Sequence, residues 1–219
     1  GLINFDLFSL GRMPVPDESA ELVYTSHTVE HVNDAAAQNM FSEAFRMLKK
    51  GGVFRMTTPD TDLHYAAWWK GDKDFFYWID LYSDPLVLER CKIRVPFNTA
   101  SLGQIFLFNI ATQVSELASE ETMPKMSDAE LERIFGSKSY ENALNECTGR
   151  CSIEVQRRFP GYHMNWWNED KAARMLRAAG FQRVWKSGYG QSEAAVLRDV
   201  NLFDKQDPKV SLYMEAAKM

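Results

Sequence analysis

The chain has 219 residues, 45% of them hydrophobic and 25% charged, with a net charge of −5 at pH 7 and a pI of about 5.5. This balance is typical of a globular protein with one large domain, or with one domain that carries an insertion. The acidic charge argues against a nucleic-acid partner, and no apolar run approaches the roughly 18 residues that span a membrane.

Two strands are predicted near the start of the chain. Residues 2–10 (LINFDLFSL) alternate in polarity and are rich in β-forming side chains, and residues 20–26 (AELVYTS) have the composition of a buried strand. Two prolines in residues 14–19 indicate a turn between them. We expect residues 3–8 to pair directly beside residues 20–26, unless a second chain covers that strand's edge.

A helix and a third strand follow. Residues 35–50 carry apolar side chains at helical spacing, with Asn33 as a possible N-cap. The two lysines before Gly51 suit a helix C-terminus, since cations oppose the helix dipole and glycine tolerates a positive φ. Residues 52–58 predict a strand that Pro59 stops. This strand–helix–strand order predicts a parallel strand pair.

The middle of the chain, residues 61–160, lacks strand alternation and predicts a helical insertion or cap within a single domain of residues 1–219. The predicted helical segments are 62–69, 74–82, 101–117 and 127–135, the last with a capping box at Ser127 and Glu130. Regular α/β order resumes near the end. The predicted elements there are a helix that ends at Gly180 and is capped by Asn168, a strand over 182–190 and a strand over 210–218.

Residues 27–31 (HTVEH) match H-x-x-E-H, the zinc motif of one class of metalloproteases. Such a site needs both histidines one turn apart on a helix, with the glutamate polarising a bound water. Here β-forming residues run directly into His27, so we expect His27 at the carboxyl end of a strand and predict no metal. Three interpretations stay open: a zinc hydrolase, a ligand site beyond the end of a sheet strand, or residues that merely begin a helix.

The cysteine count bears on the cellular compartment. Cys91, Cys147 and Cys151 are an odd set without a C-x-x-C pair. A disulfide framework or a structural zinc site is therefore not expected, and a reducing, cytoplasmic setting fits better.

Two stretches resemble a known family. The first is made up of MPVPDESAELVYTSHTVEHV and FSEAFRMLKKGGVFRMTTPD, which together cover most of residues 13–60. It resembles class I S-adenosylmethionine-dependent methyltransferases, in particular the methyltransferase-11-like group. HMNWWNEDKAARMLRAAGFQRV, residues 163–184, resembles the last helix of that family and the turn after it. The resemblance implies an α/β fold: a Rossmann-like methyltransferase sheet with a helical insertion and a C-terminal antiparallel strand pair.

The resemblance also implies a cofactor, S-adenosylmethionine, and residues that hold it. The residues implied for the cofactor are Asp6, Leu7, Thr25, Ser26 and His27. The adenine amino group is a hydrogen-bond donor, and the Asp6 carboxylate is a suitable acceptor for it. His27 or His31 would act as general base if the methyl acceptor needs one, since imidazole titrates near neutrality.

A second group of residues, within RRFPGYHMNWW, would face the acceptor substrate according to the resemblance. The group comprises Arg157, His163, Trp166 and Trp167. The alternative is that this stretch only precedes a capped helix, with both indoles packed in the core. The acidic charge and the aromatic-rich middle favour a small-molecule or sugar-like acceptor.

The sequence departs from the family in one respect. No acidic-x-Gly-x-Gly turn precedes Asp6, and the chain opens on Gly1 rather than Met, which indicates a tag remnant or an incomplete start. We therefore expect an N-terminally incomplete sheet, and a homodimer that covers its exposed edge. The hypotheses are a truncated or inactive methyltransferase-like protein, a non-catalytic binding or assembly module of the same fold, and a zinc hydrolase.

Overall fold

The computed structural model describes residues 3–219, which form two compact units. The sheet unit comprises the residues up to Asp60 together with Trp167–Met219, and the helical unit comprises Thr61–Trp166. The strands are β1 (Ala20–Ser26), β2 (Leu48–Pro59), β3 (Arg183–Lys186) and β4 (Ser211–Ala217). The α-helices are α1 (Asp34–Met47), α2 (Thr61–Lys70), α3 (Pro85–Cys91), α4 (Leu102–Ala111), α5 (Asp128–Ser137), α6 (Tyr140–Thr148), α7 (Ile153–Arg158) and α8 (Glu169–Ala178).

The four strands form one mixed sheet in the order β1-β2-β4-β3. β1 is parallel to β2, while β4 is antiparallel to both β2 and β3. Ser26 pairs with Thr57 at the carboxyl ends of β1 and β2, and Ser211 pairs with Pro59 where β4 begins. The predicted parallel pair and the predicted C-terminal antiparallel pair are confirmed, and three strands present polar residues at one edge of the sheet.

Helices α1 and α8 contribute to the core of the sheet unit because their apolar side chains recur at helical spacing. The Phe41 ring of α1 meets the rings of Phe54 and Trp167 edge-on, with centroids 5.6 and 5.7 Å apart. Leu176 of α8 and Met214 of β4 belong to the same buried cluster. This packing anchors β2 and β4 and so supports the polar edge at their ends.

The predicted helix caps are confirmed. The side-chain oxygens of Asn33, Ser127 and Asn168 each accept a hydrogen bond from the backbone N–H three residues later, at 3.0, 3.3 and 2.9 Å. Each bond satisfies one of the N–H groups that the first turn of a helix leaves unpaired. The start of these helices could therefore be located from sequence to within about one residue.

The strand predicted over residues 2–10 is wrong for the residues that the structure describes, and residue 2 lies outside them. Leu7–Ser9 form a 3₁₀ turn, and the Asp6 carboxylate accepts a hydrogen bond from the Phe8 N–H at 3.0 Å. This local bond gives the backbone an alternative to a ladder, and both Leu7 and Phe8 pack against the α1 core. The predicted pairing of residues 3–8 with β1 is therefore also wrong, since residues 3–8 form no strand and β1 is the terminal strand of the sheet among the described residues.

The predicted end of the first helix is wrong as well. α1 ends at Met47, and the two lysines before Gly51 lie in β2, which begins at Leu48. The pairing shifts register between Ala20 opposite Leu48 and Leu22 opposite Val53, which makes an irregularity in the strand. Gly51, at φ +78°, lies in this irregularity and donates its N–H to the Lys218 carbonyl at 2.7 Å. Its positive φ therefore serves a strand bulge and not a helix end.

The helical unit has its own apolar core. Phe106 of α4 stacks on Trp68 of α2, with ring centroids 4.9 Å apart, and Ile134 and Leu144 from α5 and α6 belong to the same cluster. The helix predicted over residues 74–82 is wrong, because that stretch consists mainly of turns, with a 3₁₀ segment at Leu81–Ser83. Its aromatic side chains pack instead around the buried His64 ring, which overrides local helix propensity.

The predicted insertion of residues 61–160 falls inside the helical unit, and its status as part of a single domain of residues 1–219 stays a prediction. Within residues 3–219, none of the helices is long and apolar enough to cross a membrane.

Candidate active site

The carboxyl ends of β1 and β2 carry a row of hydroxyl groups. The Thr57 hydroxyl donates to the Ser26 hydroxyl oxygen at 2.9 Å, and the Thr28 hydroxyl donates to the Ser26 carbonyl at 3.1 Å. The His27 N–H donates to the Thr57 carbonyl at 2.9 Å, which continues the ladder by one residue past the end of β1. Ligands of parallel α/β sheets bind at such an edge, so this row is a candidate binding site.

His27 occupies the first position after β1 in a left-handed conformation, with φ at +47°. A positive φ is uncommon for a residue with a Cβ and is found in turns and at strained functional positions. Only 3% of the His27 side chain is exposed. Its Nε2 lies 3.0 Å from the Ser211 hydroxyl oxygen, and its Nδ1 lies 3.2 Å from Glu30 Oε1.

Glu30 connects the two histidines of the motif. Its carboxylate is 1% exposed, with Oε1 3.2 Å from His27 Nδ1 and 3.8 Å from His31 Nε2. The other oxygen, Oε2, accepts a hydrogen bond from the Thr58 hydroxyl at 3.0 Å. A buried carboxylate requires partners of this kind, because desolvation of an unpaired charge is costly.

The histidines do not have the arrangement of a zincin helix. His27 follows a strand, as predicted, and His31 ends a single 3₁₀ turn, Val29–His31. A zincin presents both imidazoles from one turn of one α-helix toward one metal. Here both ring nitrogens of His27 face protein groups. The letter match to H-x-x-E-H thus lies at a strand-to-helix turn and not on one α-helix.

The residues implied for the cofactor all lie in the sheet unit. Thr25 and Ser26 end β1, and Leu7 packs partly buried against the core. Asp6 is exposed and caps the 3₁₀ turn Leu7–Ser9. The structure thus joins Ser26 and His27 to one hydrogen-bonded network, while their contact with a cofactor stays a prediction.

The residues implied for the acceptor divide between the units. In the helical unit, Arg157 is exposed on α7, and His163 Nδ1 donates to the Asn109 carbonyl at 2.7 Å. The Trp166 indole N–H donates to the Asn145 side-chain oxygen at 2.8 Å, and the residue is buried. In the sheet unit, Trp167 is buried against Phe41. Contact of these residues with an acceptor stays a prediction.

Sequence reasoning missed three members of the network: Thr57, Thr58 and Ser211. The two threonines precede Pro59 at a predicted strand end, and that position could have drawn attention to them. Ser211 lies 184 residues from His27 along the chain, and no local pattern could have joined the two.

The sheet unit also contains a buried charge cluster that the sequence did not reveal. Arg55 of β2 is fully buried and binds Asp204 through two nitrogens, at 2.5 and 3.2 Å, and Glu215 of β4 at 2.9 Å. Burial alone would lower the pKa of Arg55, but the hydrogen bonds and charges of the two carboxylates more than offset it and raise that pKa. The Tyr24 hydroxyl donates to Asp204 at 3.2 Å, so the cluster links β1, β2 and β4.

Comparison with known proteins supports the predicted resemblance. Residues 1–56 match the family model of the methyltransferase domain. A probable S-adenosylmethionine-dependent methyltransferase of Mycolicibacterium smegmatis is 40% identical over 52 residues, which are 24% of this chain and 20% of the relative. The chain thus spans about a fifth of the curated relative it matches. These matches confirm the resemblance to class I methyltransferases, and that family implies S-adenosylmethionine as the cofactor.

Two solved structures are also similar to this chain. A methyltransferase of Thermotoga maritima, described as a possible histamine N-methyltransferase, matches with TM-score 0.35 and 14% identity over 95% of this chain and 60% of its own. A methyltransferase of Archaeoglobus fulgidus matches with TM-score 0.40 and 12% identity over 99% of this chain and 66% of its own. Scores this low carry no inference about the site.

Proposed function

We propose that this chain is an S-adenosylmethionine-dependent methyltransferase-like protein that acts on a small-molecule or sugar-like acceptor. One observation carries the proposal: the family match over residues 1–56 covers β1 and most of β2, and these two parallel strands end in the hydrogen-bonded row of Ser26, Thr57 and His27. Open α/β sheets bind their ligands at that edge.

The residues implied for the cofactor fit its chemistry. Ser26 and Thr25, at the end of β1, offer hydroxyls and backbone groups for the amino-acid part of S-adenosylmethionine. Asp6, which caps the 3₁₀ turn Leu7–Ser9, offers an exposed carboxylate for the adenine amino group. When bound, the cofactor supplies an activated methyl group on a positively charged sulfur. Glu30, buried beside the turn, adds a carboxyl group to the same region.

The chain's own residues orient the acceptor and accept the proton that it loses. Holding two reactants in line lowers the barrier substantially, because the entropy of alignment is lost on binding rather than in the reaction. His27 and His31 are the candidates to accept the proton that an acceptor hydroxyl or amine loses. Arg157, His163 and the two indoles, Trp166 and Trp167, are our candidates for acceptor recognition.

Isothermal titration calorimetry tests the proposal. The chain should release heat with S-adenosylmethionine and with S-adenosylhomocysteine, with one site each. Ser26→Ala should weaken both, because it removes the hydroxyl that joins β1 to Thr57. Absence of heat for both ligands at millimolar concentrations would contradict cofactor binding by this chain.

A second candidate, a non-catalytic assembly module of the same fold, has one observation in its favour. Among residues 3–219, β1 pairs only with β2 and lies at the end of the sheet. An apolar strand edge is a template for pairing with another chain, so we propose that the protein forms a homodimer through β1. Light scattering should give twice the mass of one chain, and a monomer at micromolar concentration would contradict the homodimer.

The cysteine usage supports a further proposal, that the protein is located in the cytoplasm.

A further inference from the structure

The two histidines of the H-x-x-E-H stretch differ in what they can do. The His27 side chain is 3% exposed and the His31 side chain is 24% exposed. Both ring nitrogens of His27 already face protein groups, Nδ1 the Glu30 carboxylate at 3.2 Å and Nε2 the Ser211 hydroxyl at 3.0 Å. A general base must reach the proton that it takes, directly or through one water. His27 has no ring nitrogen left for that contact.

Ser211 is a fixed partner and not a passing one. It is the first residue of β4, opposite Pro59 in the ladder, and only 9% of it is exposed. Its hydroxyl also lies 2.8 Å from the Asp207 carbonyl oxygen and 3.4 Å from that of Gln206. Carbonyl oxygens only accept, so the serine proton has acceptors behind it while its oxygen faces the imidazole.

Glu30 lies on the far side of the His27 ring. Glu30, which faces Nδ1, is itself tied to the Thr58 hydroxyl through its second oxygen, at 3.0 Å. The chain Ser211–His27–Glu30–Thr58 therefore runs across the ends of β1, β2 and β4. It closes around the one residue of the turn that adopts a left-handed conformation, His27 at φ +47°. Such a conformation persists where surrounding contacts over-determine it.

We propose that His27 is a positioning residue, clamped between Ser211 and Glu30, and that proton transfer in the methyl-transfer reaction falls to His31. This inference rests on the proposed function and refines it. The clamp fixes the turn after β1, and it thereby fixes the Ser26 hydroxyl on one side and the Glu30 carboxylate, beside His31, on the other. His31 Nε2 lies 3.8 Å from Glu30 Oε1, which is beyond hydrogen-bond distance.

The first test uses the unmutated chain and needs no ligand. Diethyl pyrocarbonate modifies accessible imidazole nitrogens, and trypsin releases both histidines on one peptide, residues 13–46, in which fragment-ion mass spectrometry separates them. His31 should be modified several-fold faster than His27. Ser211→Ala should raise the rate at His27, whereas Ser192→Ala, which removes an equally buried hydroxyl outside the clamp, should not. Equal rates at His27 and His31 in the unmutated chain would overturn the proposal.

The second test asks whether the clamp positions the cofactor side of the turn. Ser211→Ala should weaken S-adenosylmethionine binding in calorimetry about fivefold, the effect of one neutral hydrogen bond. Ser211→Thr, which keeps the hydroxyl, should restore binding, and Ser192→Ala should leave it unchanged. Ser211→Ala binding as tightly as the unmutated chain, or Ser211→Thr binding as weakly as Ser211→Ala, would overturn the positioning role.

The two tests separate failure of this inference from failure of the proposed function. If the unmutated chain binds no S-adenosylmethionine, the proposed function fails. The modification rates still decide whether Ser211 and Glu30 hold the ring nitrogens of His27. If the cofactor binds but His27 is modified as fast as His31, the function stands and the clamp does not.

Discussion

The buried charge cluster at Arg55 supports the sheet that carries the candidate site, and replacing Arg55 with methionine tests how strongly. The side chain is fully buried, and its guanidinium binds Asp204 and Glu215, which are fully buried as well. It also donates to the Gly188 and Gln191 carbonyls at 2.9 and 3.0 Å. Arg55→Met therefore leaves two carboxylates without their cation and two carbonyls without this donor.

Removing one partner of a buried ion pair costs about 3–5 kcal/mol, because the remaining charge is left desolvated and uncompensated. For Arg55→Met we expect a loss near the upper end of this range, since two carboxylates lose the same partner. With a urea dependence of about 2 kcal/mol per molar, the unfolding midpoint should fall by about 2 M. Arg55→Lys should fall between the two, because lysine keeps the charge but lacks the planar fork that binds Asp204 through two nitrogens.

Urea unfolding followed by circular dichroism measures these shifts. Lys49→Met is the matched control, since Lys49 pairs with Glu21 at 3.1 Å on the exposed surface, and such pairs contribute less than about 1 kcal/mol. The scatter of such midpoints is roughly 0.3 M urea. If the unfolding midpoint of Arg55→Met differs from that of Lys49→Met by less than this scatter, the reasoning is refuted.

Three further outcomes are expected. The Arg46 hydrogen bonds hold the pKa of the Glu43 carboxyl below its usual 4.5. This contact therefore stabilises the fold above pH 4.5, and the stabilisation is lost as the pH falls through the lower folded-state pKa. Urea titrations at several pH values should show that the free energy of unfolding of Arg46→Met falls less steeply with acid than that of the unmutated chain. Asn168→Ala, which removes the cap of α8, should lower the free energy of unfolding by about 1 kcal/mol, and an unchanged midpoint would contradict the cap. Burial raises the pKa of the Cys147 and Cys151 thiols to about 12, so a disulfide reagent should titrate one fast thiol per native chain, and three fast thiols would contradict the burial.

Local patterns were sufficient for much of the sheet unit. β1 is a continuous β-forming run, and α1 and α8 carry apolar side chains at helical spacing behind asparagine caps. In each case the local preference and the tertiary packing agree, which is why their boundaries were predicted to within a few residues.

The predictions failed where side-chain contacts override the local pattern. Residues 3–10 have the alternation of a strand, but the Asp6 carboxylate captures a nearby N–H and starts a turn. Gly51 has the position of a helix C-cap, but its N–H pairs with the Lys218 carbonyl, which is distant in sequence. Neither contact can be read from a window of neighbouring residues.

The sequence predicted that His27 follows a strand, and the structure has the His27–Glu30–His31 stretch directly after β1. That a ligand binds at this place stays a prediction. The clamp through Ser211 was not predicted, because it depends on β4 returning antiparallel beside β2 and bringing a residue from the end of the chain to the turn.

Photocrosslinking tests most directly whether the turn after β1 binds S-adenosylmethionine. Irradiating the chain with methyl-labelled S-adenosylmethionine and digesting it with trypsin should place the label on the peptide of residues 13–46, which contains β1, His27 and all of α1 but its last residue. Excess unlabelled S-adenosylhomocysteine should remove that label. Absence of label, or label on other peptides that the competitor does not displace, would contradict the account.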